Sequence, residues 1–185
     1  MNTTAKAGGS AMGDASGSVT ESAPASAVAI VQAGSEHIAE VARLFDLYRQ
    51  FYECEADLTL ARRFIEARLA AGESTIFVAE VGSPETLAGF VQLYPSFCSV
   101  EAIKIMILYD LYVDDTLRSQ GIGARLMNRA ALYAKEQGAA RVDLLTAHSN
   151  LVGQRLYESL GYEKTNEDFY AYSLYQAAYP ADSNG

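Results

Sequence analysis

The stretch LYVDDTLRSQGIGARLM, residues 111–127, joins a run of strand formers to a helical pattern through a loop holding Arg118, Gly121 and Gly123. Such a loop leaves backbone N–H groups exposed at the positive end of a helix dipole, a ready seat for a phosphate. The spacing excludes the better-known phosphate loops. A dinucleotide fingerprint needs a small residue three positions after Gly123, where Leu126 stands. A Walker loop ends in Gly-Lys-Ser/Thr and a serine hydrolase carries Gly-x-Ser-x-Gly, and the chain has neither. What remains is Arg-x-x-Gly-x-Gly after a strand and before a helix.

Working outward, EAIKIMILYDLYV (101–113) reads as one long strand leading into that loop. A helix follows from about Ile122 to Gln137, with Ile122, Leu126, Ala130 and Tyr133 on one face and Gly138 as its stop. RVDLL (141–145) reads as a short buried strand, so residues 103–145 form a strand–helix–strand crossover. NLVGQRLYESL (150–160) is predicted as a helix ended by Gly161, with Val152, Leu156 and Leu160 as its core stripe and Tyr157 at the margin. FYAYSLY (169–175) closes the domain as a last strand.

Upstream, VAIVQA (28–33) is a first strand, and Ser35 is placed to cap a helix carrying Ile38, Val41, Ala42, Phe45 and Tyr48 inward. A second helix is expected from about Thr59 to Ala71, with Leu60, Phe64 and Leu69 inward and Gly72 as its stop. TIFVAEV and LAGFVQLY, separated by GSPET, make a hairpin. The predicted order is β–α–α–β–β–β–α–β–α–β, a mixed α/β domain over 28–175. Residues 1–27 hold 4 Gly, 7 Ala and 5 Ser with no aromatic residue, a composition expected to be a disordered tail. That segment lacks the apolar centre of a signal peptide and the arginines of a transit peptide. Residues 176–185 are expected to form a C-terminal tail.

Half of the 185 residues are hydrophobic and the formal charge is −9. The charge speaks against a nucleic-acid partner, which needs a basic surface, and suits a cationic one. No apolar run approaches the roughly 18 residues of a membrane span, so no membrane partner is expected. Cys54 and Cys98 form no metal or disulfide pattern, and the default reading is ordinary thiols in a reducing cytoplasm, with no metal. His148 reads as a surface-loop residue, and His37 receives no role.

With DLYV before it, N…LYESLGY after it and this element order, the chain resembles the GNAT superfamily of acyl-CoA N-acyltransferases. The likeness covers about 28–175. The pattern Asp110-Leu111-Tyr112-Val113 and the seven-residue step from Asn150 to Tyr157 most resemble its diamine and thialysine acetyltransferases. The resemblance implies acetyl-CoA as acyl-donor substrate. It assigns the CoA pyrophosphate to the backbone of Ser119, Gln120, Gly121, Ile122, Gly123 and Ala124, beside Arg118. It assigns the pantetheine to Val113, paired like an added strand, with an oxyanion donor near Leu111 or Tyr112 if the strand bulges there. It also implies a homodimer. Two positions depart from the family pattern: Ser119 where glycine often follows the arginine, and Tyr109 where the diamine enzymes often carry glutamate.

Acyl transfer to an amine needs a neutral nucleophile, a hydrogen bond to the thioester oxygen and a proton for the departing thiolate. A lysine-like amine costs about 4.6 kcal/mol to hold neutral at pH 7, an α-amine only about 1.4 kcal/mol. Asp110, a carboxylate within the apolar run IMILYDLYV, is the candidate base, or else a structural partner of a nearby group. Glu101, Glu53, Glu55 and Asp57 are reserve carboxylates. Tyr157 is the candidate general acid, about two helical turns after Asn150, which is placed to cap its helix or to bond the pantetheine amide. The expected reaction is direct acetylation of a primary amine on a small cationic acceptor. A protein or peptide acetyltransferase acting on lysines or N-termini, and a silent acyl-CoA sensor, remain as alternatives.

Overall fold

A computed structural model describes residues 28–165 and 172–174 of the chain. The tails expected over 1–27 and 176–185 lie outside the described residues, as do residues 169–171 and 175 of the strand expected over 169–175. Five strands form one sheet in the order β1-β2-β3-β4-β5. They are β1 (Val28–Gln32), β2 (Thr75–Val81), β3 (Ser83–Cys98), β4 (Ile103–Val113) and β5 (Arg141–Leu144). The first four run antiparallel to their neighbours, and β5 is parallel to β4, as the crossover requires. Helices α1 (Ile38–Phe51) and α2 (Leu58–Ala71) cover one face, and α3 (Ile122–Glu136) covers the other. Helix α4 (Leu151–Ser159) packs beside α3.

Alternation along the strands explains the two layers. Ile76, Val78 and Phe90 point to Val41, Leu44, Phe45, Ala61 and Ile65 of α1 and α2. Phe77, Ala79, Val91 and Leu93 point to Ile122, Leu126, Met127 and Ala130 of α3. The architecture is the expected mixed sheet flanked by helices.

Local details differ from the sequence reading in five places. Ser35 does not cap α1. A 3-10 turn over Ser35–His37 precedes that helix, which starts after His37 without a side-chain cap, and buried His37 braces the turn, its Nδ1 accepting the Gly34 N–H at 2.9 Å while Nε2 meets Glu80 at 2.7 Å. Helix α2 buries Ala61 and Ile65 with Phe64 and Leu69 packed beside them as expected, and Leu60 alone stays exposed at the edge of that face. The GSPET segment is mostly strand, the chain reversing at Gly82 with φ +79°. Strand β5 is only half-buried, since it forms the sheet edge among the described residues. On α4, Val152 is exposed, and the inward side chains are Leu156, Tyr157 and Leu160.

Asp57 is not a reserve carboxylate but the cap of α2, its side chain accepting the Leu60 N–H at 2.9 Å. Its own N–H donates to Asp46 at 2.9 Å, and Arg49 and Gln50 also bond that buried carboxylate, fastening the end of α1 to the start of α2. Asp57→Ala is expected to cost about 1 kcal/mol. Thermal melts should show a fall of roughly 2–4 °C for a chain of this size.

Candidate functional site

Strand β4 carries the site because it is irregular. Its partner β3 pairs Gln92 with Asp110 but Leu93 with Leu108, leaving Tyr109 as an extra, bulged residue. The bulge thus sits two positions before Leu111 and three before Tyr112, the residues near which it was expected. It reverses the side-chain parity. Met106 and Leu108 face α3, and strict alternation would send Asp110 the same way. The extra residue instead turns Asp110 and Tyr112 toward α1 and α2, and Leu111 and Val113 toward α3. The Tyr48 hydroxyl of α1 holds the bulge by donating to the Tyr109 carbonyl at 3.0 Å.

The same bulge opens an edge. Strand β5 pairs with β4 only as far as Leu108, opposite Leu144. Beyond that point β4 bonds β3 alone, and the Asp114 N–H donates to Ala88 O at 2.8 Å. Antiparallel bonding alternates, so Tyr112 also bonds β3, whereas the N–H groups of Leu111 and Val113 point into the gap. Gly89 serves the close approach here, since a Cβ on it would stand 2.5 Å from the Tyr112 carbonyl.

Asp110 lies at the base of a pocket of about 310 Å³ with Phe45, Phe64, Arg68, Tyr94 and Tyr109. The pocket gives little polar company, so burial pushes the Asp110 carboxyl up to about 6, against a smaller downward pull from the Tyr48 hydroxyl. Tyr94 is pushed up to about 12 by burial and by the nearby Asp110 charge. Gln92, fully buried and opposite Asp110 in register, donates to the Tyr94 hydroxyl, and its amide oxygen has no protein partner.

Tyr157 packs on the α3 side with its hydroxyl toward the gap. Burial raises its pKa first, the neighbouring Tyr52 adds to this, and a hydrogen bond with Thr146 opposes it. The Tyr48 hydroxyl is held protonated by burial and, in turn, by the proximity of Asp110, Tyr52 and Tyr157. Asp110 and Tyr157 each act on the Tyr48 hydroxyl, the carboxylate from the α1 and α2 side and the phenol from the α3 side.

The glycine loop is also as its residues suggest. Ser119 and Gly121 adopt left-handed conformations at φ +63° and +75°. Gly121 begins α3 without any side-chain cap, so the N–H groups of Ile122, Gly123 and Ala124 have no intrahelical acceptor. Exposed Gln120 lies between the two turns. Ser119 is a costlier departure than its N–H donor suggests, because a Cβ in that conformation is strained by about 1 kcal/mol. A Cβ on Gly123 would reach Leu156 of α4 at 3.2 Å, so this glycine lets α4 approach α3.

Arg118 is placed differently from its sequence reading, whereas Asn150 takes the capping role, one of its two readings. Arg118 folds back on its own loop: Nε donates to Val113 O at 3.1 Å, the guanidinium pairs with Asp115, and it stands 5.4 Å over the Tyr112 ring. Asn150 caps α4, accepting the Gly153 N–H at 3.0 Å and donating to Thr146 at 3.0 Å, so both ends of its amide are engaged. Among the reserve carboxylates, Glu101 pairs with Arg141 at the far end of β4, and Glu53 and Glu55 are exposed outside the pocket. His148 is exposed, as expected. Sequence reasoning missed Tyr48, Tyr94 and Arg68. Tyr48 looked like one more core position of α1, and nothing in the α2 pattern marks Arg68.

Comparison with known proteins agrees with this fold. Residues 41–162 match the acetyltransferase (GNAT) family. The chain is 43% identical over 135 residues to the uncharacterized N-acetyltransferase YhfO of Bacillus subtilis (strain 168), covering 73% of this chain and 89% of that one. It is 34% identical over 97 residues to the human (Homo sapiens) N-acetyltransferase 8, over 52% of this chain and 42% of the relative. The crystal structure of a probable acetyltransferase superposes with a TM-score of 0.73 at 38% identity, covering 81% of this chain and 99% of that one.

The raised Asp110 pKa has a sign that can be measured. A carboxyl whose folded pKa exceeds its unfolded value favours folding below the unfolded pKa and loses that advantage as pH rises through about 6. Asp110→Asn should therefore melt higher than the wild type at pH 8, by at most roughly 3 kcal/mol, and show little difference at pH 3.

Proposed function

The chain belongs to the acetyltransferase (GNAT) family, and from that premise we propose direct transfer of an acetyl group from acetyl-CoA to a primary amine of a small acceptor. The chain is an acyl-CoA-dependent N-acetyltransferase, and the donor brings its acyl group already activated as a thioester. One observation carries the finer reading: Asp110 and Tyr157 flank the open edge of β4, one on each side of the sheet.

On this reading the backbone binds the donor. The Val113 N–H takes the pantetheine as an added strand would be taken, while the Val113 carbonyl is already held by Arg118. The Leu111 N–H donates to the thioester oxygen, where negative charge develops, and Tyr112, committed to β3, does not. The uncapped start of α3, from Ser119 to Ala124, receives the pyrophosphate. Arg118 shapes this loop and adds positive charge without reaching out of it. Asn150 positions Tyr157 through its cap and through Thr146.

Asp110 receives the amine. At about 6 it is a stronger base than an ordinary carboxylate, yet still about four units short of a free alkyl ammonium. Desolvation among the pocket rings weakens the ammonium and narrows that difference. Tyr157, with its pKa raised, keeps its proton at neutral pH and delivers it only as thiolate charge appears.

Activity should rise with pH through an apparent pKa near 6, and Asp110→Asn should remove that limb along with most of the rate. Tyr157→Phe keeps the ring packing and should lower kcat by about 10²–10⁴-fold with acetyl-CoA affinity within twofold, and full turnover would exclude it as the acid. Gly121→Glu should abolish acetyl-CoA binding in calorimetry, whereas Gly121→Ala, equally strained but uncharged, should retain it. Unchanged affinity in the glutamate variant would remove the loop from the donor site.

A further inference from the structure

Resting on that reading for the identity of the reacting nitrogen, we propose that the acceptor is a compact zwitterion. It carries its primary amine and an anionic group on one apolar or aromatic body, as an α-amino acid with a large apolar side chain does.

The pocket walls set the body. Phe45 and Phe64 stack at 5.2 Å between centroids, and Tyr94 and Tyr109 meet edge to face at 5.5 Å. Such rings bury hydrocarbon well and offer a polyhydroxylated or polyamine acceptor few hydrogen bonds. The pocket's charges set the ends. Asp110 and Arg68 are its two formally charged side chains, of opposite sign. Both act on the Tyr94 hydroxyl, Asp110 raising its pKa and Arg68 lowering it, so both charges lie near that group.

Arg68 is held for the purpose. Its guanidinium stands 5.0 Å over the Phe64 ring, and Nε lies 2.5 Å from Glu73 as an ion pair without hydrogen-bond alignment, leaving that buried donor with no hydrogen-bond partner among the described residues. Glu73 is fixed in turn by its N–H, which donates to the Arg68 carbonyl at 3.1 Å. Glu73 occupies one edge of the guanidinium fork, and a fork of five donors has room for a second carboxylate. A second ammonium on the acceptor would instead meet this cation. The acidic stretch at 53–57 does not offset it: Asp57 caps α2, and Glu53 and Glu55 are exposed and do not line the pocket.

The test uses the full chain with L-phenylalanine, L-leucine, their decarboxylated counterparts phenethylamine and isopentylamine, and spermidine. CoA release is followed at saturating acetyl-CoA, and calorimetry measures binding of each compound to the CoA-loaded protein. The better amino acid should exceed its own decarboxylated amine and spermidine by about tenfold or more in kcat/KM. Arg68→Gln should erase that preference through KM, leaving the decarboxylated amine within about twofold of wild type. A decarboxylated amine or spermidine used as well as the amino acid would overturn the proposal, as would an Arg68→Gln loss equal for both. If no amine releases CoA, the transfer reading fails by itself and calorimetry decides the pocket. Amino-acid binding tighter than that of its decarboxylated amine by about tenfold supports the zwitterion site, and equal or absent binding overturns it.

Discussion

Everything that makes this sheet a site follows from one extra residue in β4. With Tyr109 inserted, the bonding groups and side chains of β4 exchange sides between Leu108 and Asp110. One consequence is that a carboxylate enters an aromatic pocket instead of the α3 layer. Another is that the Leu111 and Val113 N–H groups face a gap that β5 no longer closes. A regular strand would have neither. The bulge is a deformation with a restraint, since Tyr48 reaches from α1 to its free carbonyl. Loss of a ladder bond is thereby compensated by a side-chain bond, the usual condition for a buried bulge to persist.

The electrostatics are local rather than global. A net charge of −9 says little about the pocket, whose two formal charges are one of each sign. The carboxylates that make the chain acidic are largely engaged in ion pairs and caps, as with Asp46, Asp57 and Glu101. Asp110 differs because burial, not a cation, governs it. A carboxylate kept near its neutral form is poorly stabilising and chemically useful, and the two properties have the same cause.

Around the donor loop, individual residues meet several demands at once. Gly123 lacks a side chain so that Leu156 can approach α3, which brings α4 and Tyr157 to the gap. Asn150 both caps α4 and holds Thr146, which bonds the Tyr157 hydroxyl. Ser119 tolerates a left-handed backbone that glycine would adopt without strain. Each of these choices weakens a local preference in favour of the site's geometry, as expected where a fold carries function.

The sequence by itself determined the element order from β1 to α4, the crossover from β4 through α3 to β5 and the turn-forming glycine loop, and it singled out Asp110 and Tyr157. These rest on signals that are local in the chain: periodicity, helix stops and turn residues separated by a few positions. What lay between distant segments was not legible. No local pattern distinguishes a strand with a bulge at Tyr109 from a regular strand, because the extra residue exists only relative to β3. Tyr48 read as core because its partner, the Tyr109 carbonyl, is reached only across a tertiary contact, and Asp57 read as a spare carboxylate although it caps its own helix at Leu60. Arg118 was read as standing beside the ligand, and its partners are Val113 and Asp115, while Asn150 takes the capping role of its two readings and also bonds Thr146. Local chemistry decided which groups were available, and only the packing of α1 and α2 against a bulged β4 decided which of them face one another.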